Sequence, residues 1–247
     1  MTTQNIPKIQ LLCMETKHIK AFDAALPEIW PIYDREIHIP SLPITITTHN
    51  TYLSALPATT KFDLVVSPAN SYGRLDGAFD DAISRAFCLP HHNYDTLTDT
   101  VQDVLYEKYR GFAPPGSCTL VPFPETLVGR NAWGCKWVAI CPTMRTPDNV
   151  QWDREVVYEC VWTLLCAVEG WNREVKPGDG KERIESVIIT PMATGCGAVS
   201  PERWAAQFVL AMRQFVDALE KPRRWRRLGW GEIFEDSNDV AKTWKRT

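Results

Sequence analysis

The 247-residue chain has little excess of either charge. Lys and Arg number 27 against 30 Asp and Glu, a formal net charge of -3. That balance argues against recruitment of nucleic acid by bulk attraction, and no nucleic-acid partner is expected. Apolar runs near the roughly 20 residues of a membrane span are missing too, so no membrane partner is expected. Residues 1–10 lack a basic segment followed by an apolar one, the pattern of a secretory leader. The expected location is the cytoplasm, with the nucleus as the alternative. Hydrophobic residues make up 45% and charged residues 23%, the composition of an ordinary globular protein.

The CxxC spacing of a structural zinc site is also absent, although the chain has eight cysteines. Most of them sit in apolar stretches such as LLC (11–13) and VAIC (138–141), which reads as buried free thiols. His91 and His92 are adjacent, and neighbouring side chains on an extended chain point opposite ways, so one ion would not engage both. Neither a metal nor a cofactor is expected. Ten tryptophans are present, but they are scattered without repeat and read as core or rim residues.

Short apolar runs alternate with helical patterns. Lys8–Cys13 reads as a buried strand and Thr16–Leu26 as a helix with Ile19, Phe22 and Leu26 on one face. Pro27, Pro31, Pro40 and Pro43 predict an irregular stretch. Strands are expected at Ile44–Thr48, Phe62–Ser67, Cys118–Pro122, Lys136–Cys141 and Ser186–Thr190. Helices are expected at Ala78–Phe87, Asp99–Tyr109 and Asp153–Glu169, and after Ser200, a capping residue followed by Pro201. This alternation predicts a three-layer α/β/α fold with a mixed, largely parallel central sheet. A single domain over 1–247 is expected, with a core at about 44–218. Residues 1–43 would be an added strand–helix layer, and the basic, Trp-rich tail at 219–247 an amphipathic segment folding back on the domain.

In open α/β sheets ligands bind beyond the carboxyl ends of the strands. Two glycine-containing loops fall there, SPANSYGRLDGAF (67–79) and PMATGCGAVSP (191–201), each leading into a helix. Glycines admit close backbone approach and helix N-termini favour anions, so together the loops describe a phosphate or diphosphate site. Asn70 and Asp80 add chemical character. An Asn amide can hold a sugar hydroxyl and a carboxylate can activate a water. The alternative is structural, with Asn70 bridging its own loop and Asp80 favouring the helix start electrostatically.

VVSPANSYGRLDGAFDDAI (65–83) resembles the macrodomain signature, an Ala-Ala-Asn loop, a glycine run and Val-Asp-Gly-Ala-Ile. MATGCGAVSP (192–201) resembles the second macrodomain loop, and CPTMRTP (141–147) a segment of a PANS-containing branch of macrodomain-like proteins. The resemblance implies binding of ADP-ribose or of ADP-ribosylated protein, and hydrolysis of an ADP-ribosyl or ADP-ribose-phosphate bond. The alternative is a non-catalytic reader of ADP-ribose. By the same resemblance Asn70 would hold the distal ribose and Asp80 would position the attacking water. The ligand would lie among Ser67, Ala69, Asn70, Arg74, Gly77, Ala78 and Phe79 on one side. Thr194, Gly195, Cys196, Gly197 and Ala198 would face it from the other. Three positions depart from the signature. Ser67 stands where the family has Asn, Asp76-Gly77-Ala78 replaces the glycine run, and Asp81 replaces a small residue. The Gly-Asp that follows the family's first core strand is absent from ITITTHNTYL (44–53), so no adenine contact is implied.

Overall fold

The computed structural model describes residues 5–31, 44–91 and 93–246. Of the stretch expected to be irregular, residues 32–43 lie outside them, as does His92. Six strands form one sheet: β1 (Lys8–Leu12), β2 (Ile46–His49), β3 (Leu64–Ser67), β4 (Thr119–Pro122), β5 (Trp137–Ile140) and β6 (Ser186–Ile189). Their order is β2-β1-β6-β3-β5-β4, parallel throughout except for the antiparallel edge strand β4. Among the described residues seven α-helices accompany them: α1 (Thr16–Ile29), α2 (Ala78–Phe87), α3 (Thr96–Tyr109), α4 (Val156–Glu174), α5 (Pro201–Glu220), α6 (Pro222–Trp225) and α7 (Trp230–Ala241). Among the described residues no helix is long and apolar enough to cross a membrane.

Alternation of side chains along the strands sets the layers. Leu64 and Val66 of β3 join a core with α1, α4 and α5, whereas Val65 faces the other way into a core with α2 and α3. Val187 and Ile189 of β6 face the first core and Ile188 the second. The sheet is thus covered on both faces, which is why its inner strands read as unbroken apolar runs.

The strand–helix piece expected as an added layer is part of the sheet itself. β1 lies between β2 and β6, with Ile9 paired to Ile46 on one side and Val187 on the other. Leu11, Leu12 and Cys13 have no exposure, so this run had to be covered on both faces. α1 continues through Pro27 to Ile29 because Leu26 and Ile29 are held against α5 and the sheet. Ser200 caps α5 by accepting from the Arg203 amide at 3.2 Å, with Pro201 in the first turn as read from the sequence. Beyond α5 the tail folds back. Val240 is buried, Arg213 pairs with Asp239 at 2.8 Å, and Arg246 reaches Glu28 of α1.

Candidate functional site

Strands β1, β6, β3 and β5 run parallel and end at one edge of the sheet, where the loops after them enclose a cavity of about 400 Å3. After β3 come Pro68–Asn70 and Arg74–Asp80, and after β5 come Thr143, Met144 and Pro147. Thr190 to Gly197 follow β6, and Met14, Glu15 and His18 follow β1.

Hydrogen bonds between the β3 and β5 loops fix one wall. Thr143 donates its amide to Ala69 at 3.0 Å, and Ser71 donates its amide to Met144 at 2.9 Å. Asn70 closes its own loop. Its Oδ1 accepts from the amides of Tyr72 (3.0 Å) and Arg74 (3.4 Å), and its Nδ2 donates to the Arg74 carbonyl at 2.8 Å. Of the two readings open for Asn70, loop bridging is the one this geometry shows, and the residue still lines the cavity. Arg74 is exposed and bound by Asp76 at 2.8 Å through Nε, with Asp95 at 3.5 Å, so two carboxylates already meet its charge.

Gly77 stands before α2, and Asp80 donates its amide back to the Gly77 carbonyl at 3.0 Å. The amides of Gly77, Ala78 and Phe79 have no acceptor among the described residues. The same is true across the cavity for the amides of Thr194, Gly195, Cys196 and Gly197. Helix-start and loop amides of this kind are the groups that bind anions. The β6 loop keeps its shape through Val199 donating to Ala193 at 3.0 Å and Val150 donating to Gly197 at 3.0 Å. Ala193 and Ala198 take left-handed backbone at φ 58 and 56, and Ala78 does so at 49.

Asp80 is buried and lines the cavity. Its Oδ1 accepts from Ser67 Oγ at 2.6 Å. Burial pushes the carboxyl up to about 7, and the Asp76 charge adds to the shift, while the Ser67 hydroxyl opposes it. A carboxyl held there exchanges a proton near neutral pH, as a general base requires. Asp81 lies outside the cavity. It pairs with Arg85 and accepts from Tyr94 Oη at 2.6 Å, and these bonds hold its carboxyl low.

Most of the residues expected at the site therefore meet around one cavity. Ser67 and Ala198 do not line it: Ser67 lies beneath Asp80, and Ala198 shapes the loop after β6. Met14, Glu15, His18 and Thr190 were missed. The signal for the first three was the apolar run of β1, whose unbroken burial makes its carboxyl end part of the same sheet edge. Among the described residues no group of three or more His, Cys, Asp or Glu is placed to hold a metal ion.

No protein-family model matches the sequence, and no curated protein matches it either. Solved structures do. The macrodomain of Mycobacterium tuberculosis DarG aligns with a TM-score of 0.47 at 17% identity, over 68% of this chain and 91% of that one. A mutant Oceanobacillus iheyensis macrodomain with ADPR aligns with a TM-score of 0.47 at 15% identity, over 65% and 75%. The Oceanobacillus iheyensis macrodomain with ADP gives 0.46 at 15% identity, over 64% and 72%. All three are macrodomains, the family that the loops after β3 and β6 resemble in sequence.

Proposed function

We propose that this chain binds ADP-ribose in the cavity and hydrolyses an ADP-ribosyl or ADP-ribose-phosphate bond. One observation carries the reading: two sets of unpartnered amides, on the loops after β3 and β6, flank a cavity that also holds a buried carboxyl near neutrality. The amides suit a diphosphate, and the motif resemblance supplies the rest of the ligand. Ionised Asp80 takes a proton from a water, whose oxygen bonds to the anomeric carbon as the bond to the leaving group breaks with its electron pair. Calorimetry with ADP-ribose tests binding, and release of ADP-ribose from mono-ADP-ribosylated protein tests turnover.

A reader without turnover is the second reading. The commitment of the Asn70 side chain to its own loop favours it, because that amide is then not open to a ribose hydroxyl. ADP-ribose binding with no release from any ADP-ribosylated substrate decides for the reader.

A further inference from the structure

A second cleft, of about 860 Å3, lies between the segment before α4 and the end of α7. Gln151 and Arg154 line one wall, and Asn238, Lys242, Trp244 and Lys245 line the other. α5 fixes both walls. The buried Gln207 donates its side-chain amide to the Arg154 carbonyl and, at 3.0 Å, to Thr243 Oγ1. The Arg203 guanidinium donates to the Gln151 carbonyl at 3.1 Å and to the Asp153 carbonyl. The cleft also adjoins the loop after β6, since Gln151 Nε2 donates to the Ala198 carbonyl at 2.8 Å and Ser200 Oγ donates to the Arg246 carbonyl.

Donors dominate this cleft. Arg154, Lys242 and Lys245 are cations, and among the described residues none that lines it is acidic. Arg154 and Lys245 have no ion pair among the described residues. Lys242 pairs with Asp239 at 2.8 Å, a carboxylate it shares with Arg213. The Arg154 guanidinium lies over the Trp244 ring, 4.9 Å from its centroid, which holds that cation beside the indole. Trp244 Nε1 is buried without an acceptor, so one N–H is left to be met. Anionic oxygen is what such a set takes. The end of α7 narrows the choice. Its last carbonyls carry partial negative charge beside Ala241 and Lys242, and they repel a phosphate dianion more than a carboxylate. The volume exceeds what one carboxylate fills, so several on one chain fit it. Trp152, 77% exposed and next to Gln151 in the sequence, offers such a chain apolar contact.

We propose that this cleft docks an acidic segment of the protein that carries the ADP-ribosyl group, so that modified residues with Asp or Glu nearby are preferred. The identity of that partner rests on the ADP-ribose reading, whereas the preference for clustered carboxylates rests on the cleft itself. Because the cleft is fastened to the loop after β6, the docked segment lies next to the cavity that the modified residue enters.

A hexaglutamate peptide is the probe. Calorimetry at low ionic strength should show it binding the wild-type protein, with hexaglutamine inert, and NMR should show the Trp244 indole N–H shifting. Added salt should weaken the binding. Arg154→Gln combined with Lys245→Gln should lower hexaglutamate affinity about tenfold, the scale of two partly exposed ion pairs, and leave ADP-ribose affinity unchanged. Affinity for an ADP-ribosylated peptide with acidic flanks should fall likewise, and that for one with neutral flanks should not. A Trp244 signal unmoved by hexaglutamate overturns the proposal in the wild-type protein, whatever the variants do. Tripolyphosphate shifting Trp244 at lower concentration than hexaglutamate overturns it in favour of a phosphate site. An equal loss for both flanked peptides overturns it as a general structural effect. If ADP-ribose binds and hexaglutamate does not, the docking site fails alone. If hexaglutamate binds and ADP-ribose does not, the cleft stands as an acidic-peptide site and the ADP-ribose reading fails. If neither binds, both fail.

Discussion

Ser67 Oγ donates a 2.6 Å hydrogen bond to Asp80 Oδ1, joining the last residue of β3 to the first turn of α2. Both residues are buried, and the carboxyl titrates at about 7 because burial outweighs the help that one hydroxyl gives its charged form. The Asp80 carboxyl is at once the group best placed for proton transfer and a source of instability.

The instability has a sign that can be worked out. The folded-state pKa is raised from 3.8 to about 7, so the fold favours the protonated form. Below the unfolded value both states hold the proton and Asp80 costs nothing. As pH rises from about 4 to 7 the cost of ionising it in place grows, and above 7 it is fully present. Asp80→Asn should match wild-type stability at pH 4 and exceed it at pH 8, by at most about 4 kcal/mol. Denaturant titrations at the two pH values measure the difference.

Removing the hydroxyl isolates its share. Ser67→Ala takes away the one interaction that lowers the Asp80 pKa, so the carboxyl should titrate above its wild-type value. Carbon NMR of the Asp80 carboxyl reads this directly. Where turnover is present, its rise with pH should move upward in parallel, since only ionised Asp80 accepts a proton. An unmoved titration would place the control of this group elsewhere.

The two glycines of the β6 loop should behave differently. A Cβ on Gly195 meets nothing within 4 Å, whereas one on Gly197 would stand 2.5 Å from the Ala193 carbonyl oxygen and 3.0 Å from Val150 Cγ2. Gly195→Val should therefore keep the melting temperature and weaken ADP-ribose binding about tenfold or more, by filling space beside the open amides. Gly197→Val should lose about 1–3 kcal/mol of stability through strain in the loop. Thermal melts beside calorimetry separate the two outcomes.

Strand burial and loop chemistry explain how far the sequence could be read. β3, β5 and β6 were legible because parallel strands buried on both faces show as short β-branched runs between helices, as in LVVS and SVII. Ser200 and Pro201 announced α5 through capping chemistry that acts within one turn. β1 was seen as a strand, but its place beside β6 was not, since the pairing of Ile9 with Val187, far apart in the sequence, leaves no local mark. His18 was missed for the same reason: it enters the site only once β1 is inside the sheet. The Asn70 side chain was ambiguous because an Asn can satisfy a loop or a sugar with the same atoms, and only coordinates distinguish them.

Gly77 and Ala78 carry their backbone conformations in the less economical order. Gly77, the residue that tolerates any conformation, is extended at φ -134, while Ala78 is left-handed at φ 49. A left-handed alanine costs roughly 1–2 kcal/mol, and an added glycine returns roughly 0.4–1 kcal/mol to the unfolded chain as entropy. Ala78→Gly should thus gain several tenths to about 1 kcal/mol. Gly77→Ala should add to it, because its Cβ meets nothing within 4 Å and the unfolded chain loses freedom. The double exchange, which keeps composition constant, should be more stable than either single variant and more stable than wild type. Ala78→Val should move the other way, a branched side chain at positive φ being costlier still. Urea unfolding of the four variants checks the order. A double exchange less stable than wild type would show that the Ala78 methyl makes contacts worth more than its backbone strain.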